Sequence, residues 1–367
     1  MKNKIKALSL FDGISGARQA LKNLGIECEY YASEIDKFAM QVSRENNSDI
    51  IQLGDVKKIN YCTDLHLHWR EGADYKEQIV YDFDLLIGGS PCQDLSAAGK
   101  GAGLEGERSG LFFEYVRILN EVKPKFFVLE NVASMKKESR DKISEILGIQ
   151  PVMINSALLT AQQRKRYYWV GRLIGDKYEQ VLIEQPEDSG VLLKDIIESG
   201  EVDRIKSYCI DANYYKGGNA KSYFEKGRRQ LIFKEREKSA CLPATYYKKN
   251  LKSLLKRNKQ GLMVIGCALR GRNIVDGKRK DILGAKTEQR LEFRNDEKIN
   301  CLTSVSKDSL VAFKDLVRKL TPIECERLQG FPDNYTNSVS NTQRYKSLGN
   351  SFTVPVIEHI LKQFLTP

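Results

Sequence analysis

Histidine is scarce in this sequence, three residues in 367, and none of the eight cysteines belongs to a C-x-x-C pair. Zinc sites need Cys and His at short, regular spacings, which cysteines scattered at 28, 62, 92, 209, 241, 267, 301 and 325 do not supply. No metal is expected. Long apolar runs are missing too: none approaches the roughly 18 residues needed to cross a bilayer. Met1-Lys2-Asn3-Lys4 leads directly into a short apolar stretch rather than a secretory core. The expected location is therefore a reducing cytoplasm, with the cysteines as thiols.

Acidic surplus is absent as well. The net charge is +11, and residues 221–280 hold 18 Lys or Arg against 4 Asp or Glu, so the rest of the chain sums to about −3. A basic excess confined to one segment marks either a solvated face or a surface for a polyanion, where Lys and Arg displace counterions from phosphate. With 41% hydrophobic residues, the length allows one large domain and a second, smaller one.

From residue 5 to 174, short apolar runs alternate with amphipathic stretches, the rhythm of an α/β doubly wound, mostly parallel sheet. Strands are expected at Ile5–Phe11, Cys28–Ala32, Phe83–Ile87, Phe126–Leu129, Val152–Ser156 and Tyr167–Gly171. Helices are expected at Ser15–Leu24, Asp36–Asn46, Leu111–Val122 and Arg140–Leu147. Asp12, Glu34, Cys92 and Glu130 then each fall just after a strand, the edge where open α/β sheets bind ligands. Residues 175–317 lose the alternation and become basic, Tyr-rich and Gly-punctuated, a second, mainly β or irregular domain. From 318 to 367 the pattern returns, with Leu320-Thr321-Pro322 opening a helix.

Phe11-Asp12-Gly13-Ile14-Ser15-Gly16 joins strand to helix with glycines that permit a tight turn and close ligand approach. By itself it reads equally as a structural turn, because it lacks the full dinucleotide fingerprint. Glu34, ending the next strand, is placed to accept ribose hydroxyls, and Asp55 in Gly54-Asp55-Val56 to bind an amino group. Gly88-Gly89-Ser90-Pro91-Cys92-Gln93 follows an apolar strand and precedes a Gly-rich run, which suits a nucleophile under a lid as well as a small buried residue in a turn. Glu130-Asn131-Val132 supplies an acid to the same crevice. Arg164 and Arg166 alternate, so an extended chain points both to one face.

These blocks resemble the C5 cytosine-specific DNA methyltransferase family. Ser9-Leu10-Phe11-Asp12-Gly13, Ile87 through Cys92, Asp94-Leu95-Ser96, Leu111-Phe112-Phe113-Glu114 and Pro151-Val152-Met153-Ile154 make the catalytic half similar to the animal de novo DNA methyltransferases. Arg327-Leu328-Gln329-Gly330-Phe331-Pro332 and Tyr345-Lys346-Ser347-Leu348-Gly349-Asn350-Ser351 complete the series. The resemblance implies a Rossmann-like methyltransferase domain over 1–174, a target-recognition domain over 175–317 and a C-terminal part, 318–367, returning to the catalytic domain.

It further implies S-adenosylmethionine as cofactor and double-stranded DNA as substrate, in a bacterial or phage-infected cell, with a cognate restriction endonuclease as a further partner. Cys92, Glu130, Arg164 and Arg166 are the implied catalytic residues. Phe11, Asp12, Gly13, Gly16, Glu34, Ile35, Asp55, Val56, Pro91, Leu111, Asn350 and Ser351 are expected at the cofactor. Within the basic region, Arg228 and Arg229 are expected on phosphate, and Arg270 and Arg272 on base edges. Two alternatives stand beside this reading: a transfer RNA cytosine methyltransferase of the same family, and a catalytically silent DNA-binding regulator.

Overall fold

A computed structural model of the chain describes residues 4–61, 66–71, 74–80, 82–90, 110–216, 223, 227–233, 264–272, 274–275, 278–279, 288–293, 310–313 and 317–365. Contacts divide the chain into two compact units. The first comprises Met1–Leu192, Ile210–Tyr215 and Pro322–Pro367; the second comprises Leu193–Cys209 and Lys216–Thr321.

The first unit is built on β1 (Ile5–Leu10), β2 (Cys28–Ser33), β3 (Ile51–Gln52), β7 (Leu85–Gly89), β8 (Phe126–Val132), β9 (Val152–Asn155), β10 (Lys165–Ile174) and β11 (Lys177–Gln180). Their order is β11-β10-β8-β7-β1-β2-β3, with β9 also paired to β10. The run from β8 to β3 is parallel, whereas β10 is antiparallel to β8, β9 and β11. Strands covered on both faces need near-continuous apolar sequence, which Leu-Leu-Ile in β7 and Phe-Phe-Val-Leu in β8 provide.

Chain order runs outward from β1 to β2 and β3 on one side, and from β7 to β8 on the other. The switch point therefore lies between the carboxyl ends of β1 and β7, where such sheets open a ligand crevice. Helices α1 (Gly16–Asn23), α2 (Lys37–Asn46), α3 (Gly110–Val122) and α4 (Lys137–Leu147) follow their strands. After α5 (Leu193–Ile196) of the second unit, α6 (Pro322–Gln329), α7 (Asn341–Asn350) and α8 (Val354–Leu365) rejoin the first. The core of the first unit includes Leu8, Leu86, Phe112, Tyr115, Phe127 and Trp169, all buried.

Three features depart from the sequence expectation. Strand β8 runs on to Val132, because Gly89 pairs Glu130 on one side and Tyr168, Tyr167 and Arg166 pair Glu130, Asn131 and Val132 on the other. Glu130 thus sits inside a strand rather than after one. The β10–β11 hairpin, with Gly171 opposite Gln180, keeps residues beyond 174 in the first unit. An unexpected antiparallel sheet of β4 (Asn60–Tyr61), β5 (His66–Glu71) and β6 (Asp74–Ile79) buries Leu67 and Trp69 in the main core. Its signal was the alternation around Leu67 and Trp69.

In the second unit, β12 (Leu231–Phe233) pairs β18 (Val317–Lys319). Strand β13 (Val264–Arg272) lies between β16 (Glu288–Phe293) and β17 (Leu310–Phe313), and β14 (Ile274–Val275) pairs β15 (Lys278–Arg279). Tyr223 donates a 2.5 Å hydrogen bond to Asp203, and the Arg204 guanidinium lies 3.5 Å from the Tyr208 ring centre. No helix among the described residues is long and apolar enough to cross a membrane.

Candidate active site

At the switch point lies a pocket of about 300 Å³, lined among the described residues by the ends of β1, β2, β7 and β8 and by α7. It holds Phe11, Gly13, Glu34, Glu130, Arg164, Arg166 and Asn350 from the sequence expectation, and adds Asp36, Asn131 and Lys346. This volume is at the lower end of the about 300–1,000 Å³ usual for small-molecule sites.

The loop after β1 takes its shape from three left-handed residues: Phe11 at φ 56°, Gly13 at 62° and Ser15 at 62°. For non-glycine residues this conformation costs about 1–2 kcal/mol, and backbone strain of this kind gathers at ligand sites. Side chains beneath the loop hold it. Ser15 Oγ and Tyr30 OH donate to the buried Asp12 carboxylate at 2.5 and 2.7 Å, and Ser15 Oγ lies 2.6 Å from Ser43 Oγ. Burial pushes the Asp12 carboxyl above its ordinary value, against these hydrogen bonds, and the Glu34 charge adds to the rise.

Glu34 ties two strand ends together. One oxygen accepts from Gly13 N at 2.8 Å; the other accepts from Ile35 N and Asp36 N at 2.7 and 2.8 Å. Two oxygens with about four lone-pair sites still leave room for a ligand hydroxyl. Asp36 caps α2 through Phe38 N and Ala39 N and meets Lys346 Nζ at 2.6 Å, joining α2 to α7 beside the pocket. Burial would raise the Asp36 carboxyl, but Lys346 and the two N–H groups outweigh it and hold it below the usual range.

On the far wall, Arg166 Nε meets Glu130 Oε1 at 2.8 Å, with both side chains about 15% exposed or less. Gly89 makes room for this acid: a Cβ there would lie 2.9 Å from Glu130 Oε2. Asn131 Nδ2 reaches Ser90 Oγ at 3.2 Å, pinning the strand end from which the chain continues to Pro91 and Cys92. Those two residues lie outside the described residues.

The two arginines, both at the pocket, take different protein partners. Arg164 is buried and donates to the carbonyls of Ile210, Gly349 and Ser351 at 3.3, 3.2 and 2.8 Å. Several expected cofactor residues also stand away from the lining. Asp12, Val56 and Ser351 are buried, Gly16 packs under Phe352 and Phe331, and Leu111 packs against the core. Ser351 Oγ bonds the Leu348 and Phe352 carbonyls. Asp55 caps a short helical turn through Lys57 N, and Ile35 is 75% exposed beside Glu34.

Asn131 and Lys346 lie within quoted motifs and Asp36 opens an expected helix, yet none was singled out, because only the fold brings them to one cavity. Arg228 is exposed and Arg229 half-buried at φ 61°. Arg270 and Arg272 lie on β13 at register positions opposite Arg290 and Glu288. Among the described residues, no cluster of three His, Cys, Asp or Glu is placed to hold a metal.

A strained loop leaving β1, an acid closing β2 and a cavity at the switch point are what an α/β domain uses to hold a nucleoside-bearing cofactor. The chain belongs to the C-5 cytosine-specific DNA methylase family, whose profile matches residues 5–366. It is 30% identical to the type II methyltransferase M.HpaII of Haemophilus parainfluenzae, over all of this chain and 90% of that one. It is 26% identical to the orphan methyltransferase M.SPRI of Bacillus phage SPR, over 99% and 98%. In fold it is similar to S. pombe Dnmt2 methyltransferase, with a TM-score of 0.56 at 15% identity, covering 99% of both chains. The protein is a DNA (cytosine-5-)-methyltransferase, and its family and fold are those of S-adenosylmethionine-dependent enzymes.

Proposed function

We propose that Cys92, Glu130 and Arg166 act directly on a flipped cytosine, and that Phe11, Gly13, Glu34 and Asn350 hold S-adenosylmethionine in the adjoining pocket. The observation that carries this reading is the Glu130–Arg166 pair, 2.8 Å apart, facing the cavity beside Gly89 and Ser90, two residues before Cys92. Glu34, with its hydrogen-bonding capacity only partly used, fits a ribose.

The chemistry needs these groups. Cytosine C5 is too poor a nucleophile to react unaided, so the Cys92 thiolate adds to C6 and makes C5 enamine-like. As the thiolate adds, N3 takes up a proton delivered through Glu130, whose carboxylate then accepts from N3–H and the exocyclic amine; Arg166 orients Glu130 and holds O2. Bound S-adenosylmethionine supplies the methyl group as a sulfonium electrophile. The C5 proton then passes to solvent, its bonding pair re-forms the C5–C6 double bond, and the C6–S bond breaks to release Cys92 as thiolate. Because C6 is unreachable in a stacked duplex, the base must leave the helix.

The basic region within 175–317 is the proposed surface for double-stranded DNA, with Arg228 and Arg229 on phosphate and Arg270 and Arg272 on bases. The type II designation of M.HpaII supports a cognate restriction endonuclease as partner, and its bacterial source a cytoplasmic setting. Bisulfite sequencing of plasmid DNA from a methylation-free host expressing the chain should reveal 5-methylcytosine in one sequence context. The same DNA should resist an endonuclease that cuts that context. Unmodified DNA from cells containing folded protein would overturn the assignment.

A further inference from the structure

A short piece of chain within the expected recognition region, Ile210–Tyr215, belongs to the first unit, although the segments before and after it in sequence belong to the second. Its backbone is held at both polar groups of one residue. Ile210 N–H donates to Gln162 Oε1 at 2.9 Å, and Ile210 C=O accepts from Arg164 Nη1 at 3.3 Å. Gln162 is itself fixed: its amide donates to the Leu328 carbonyl and to Gln329 Oε1 at 3.3 Å, and Gln329 donates to the Leu348 carbonyl at 2.6 Å.

The same Arg164 guanidinium grips the carbonyls of Gly349 and Ser351. Gly349 lies directly on the segment, for a Cβ there would fall 2.3 Å from the Asp211 carbonyl carbon and 2.4 Å from Ala212 N. Backbone cannot yield at such distances, so this glycine is required by close approach. Tyr214 is buried, and its ring centre lies 5.5 Å from that of Tyr345. Lys346, Ser347, Gly349 and Asn350, between these contacts, line the pocket.

We propose that Ile210–Tyr215 is a strap that positions the Lys346–Ser351 wall of the cofactor pocket, and that Arg164 serves the reaction as a positioning residue through this clasp, not by contact with the target base. An arginine fork closing three carbonyls from two distant segments sets their spacing in a way that a single-donor side chain cannot. The inference rests on the reading that the pocket binds the cofactor.

The test titrates S-adenosylhomocysteine calorimetrically into the full chain without DNA, in wild type, Gly349→Ala and Arg164→Lys. Both variants should bind at least tenfold more weakly while keeping a cooperative thermal transition, and Arg164→Lys should raise KM for S-adenosylmethionine more than it lowers kcat. No binding by wild type would remove the pocket reading itself. Wild-type binding with both variants within twofold would overturn the strap alone. So would an Arg164→Lys enzyme with unchanged Kd and a collapsed kcat, which would assign Arg164 to the base. Hydrogen exchange on the wild type needs no variant: saturating S-adenosylhomocysteine should slow exchange at Ile210–Tyr215 together with Lys346–Ser351. Protection confined to Lys346–Ser351 would overturn the proposal.

Discussion

Arg166 reaches Glu130 along a diagonal. Directly opposite Glu130 across β8 and β10 stands Tyr168, while Arg166 is in register with Val132, yet Arg166 Nε closes to 2.8 Å on the Glu130 carboxylate. Diagonal partners in antiparallel strands lie within reach of long side chains on one face. The arrangement leaves the acid's other oxygen beside Gly89, toward the strand end that leads to Cys92.

Breaking this pair should cost both stability and rate. Glu130→Gln should destabilise the fold by on the order of 1.5–3 kcal/mol, the worth of a charge-assisted hydrogen bond. It should lower kcat by about a hundredfold or more, as loss of a transition-state donor does. Thermal melts and single-turnover methylation measure the two effects. A variant with full kcat would remove Glu130 from the chemistry.

Cys92→Ser should bind S-adenosylhomocysteine normally and fail to methylate, because a serine hydroxyl is not ionised enough to add to C6. DNA carrying 5-fluorocytosine at the target should trap a denaturant-resistant adduct with wild type, since fluorine cannot leave as the proton does. Active enzyme giving no adduct by denaturing electrophoresis would contradict the covalent route.

Glu34→Ala should raise the cofactor Kd about tenfold or more, given about 1.5–3 kcal/mol for a hydrogen bond from a hydroxyl to a charged group. Duplex affinity should stay unchanged. Because Glu34 also anchors Gly13 N, part of the loss reflects the loop, and Glu34→Gln should fall between. Calorimetry showing weakened DNA binding and intact cofactor binding would reverse the assignment.

Asp12 makes stability depend on pH. Its carboxyl is raised in the folded state, chiefly by burial, so the native chain holds this proton more tightly than the unfolded chain. That contribution is fully present below the ordinary carboxylate value, about 3.9, and is lost as pH climbs through the raised one. Asp12→Asn lacks the titration, so its Tm should improve relative to wild type as pH rises above about 4. A difference in Tm that stays constant with pH would place the titration elsewhere.

Neutralising Arg228 and Arg229 should weaken binding to all duplexes and flatten the slope of log K against log salt by about 0.9 per lost phosphate contact. Arg270→Ala and Arg272→Ala should instead relax preference at single base pairs by about 1–3 kcal/mol with little change in slope. Methylation profiling distinguishes the two, and an unchanged motif with uniformly lower activity would move Arg270 and Arg272 to the phosphate class.

The parallel sheet was legible in sequence because apolar runs such as Leu85–Ile87 and Phe126–Leu129 are local signals, set by the need to bury both faces. Glu34 and Glu130 were legible for the same reason, being placed by the strands they end or occupy. The antiparallel course of β10 and the extension of β8 through Glu130 depend on pairing between distant segments, which periodicity does not specify; the β4–β6 sheet is instead a local pairing, signalled by the alternation around Leu67 and Trp69.

The sequence by itself determined the proposed reactive set: a cysteine, an acid and two arginines in order along an α/β frame. Only the tertiary structure decided how the arginines divide. Two residues apart, Arg164 and Arg166 look alike in an extended chain. In the folded chain, the carbonyls of Ile210, Gly349 and Ser351 arrive from segments 46 to 187 positions away and engage Arg164, while Arg166 meets Glu130. Which partner a side chain finds is fixed by the long-range return of the chain, and no local pattern encodes that.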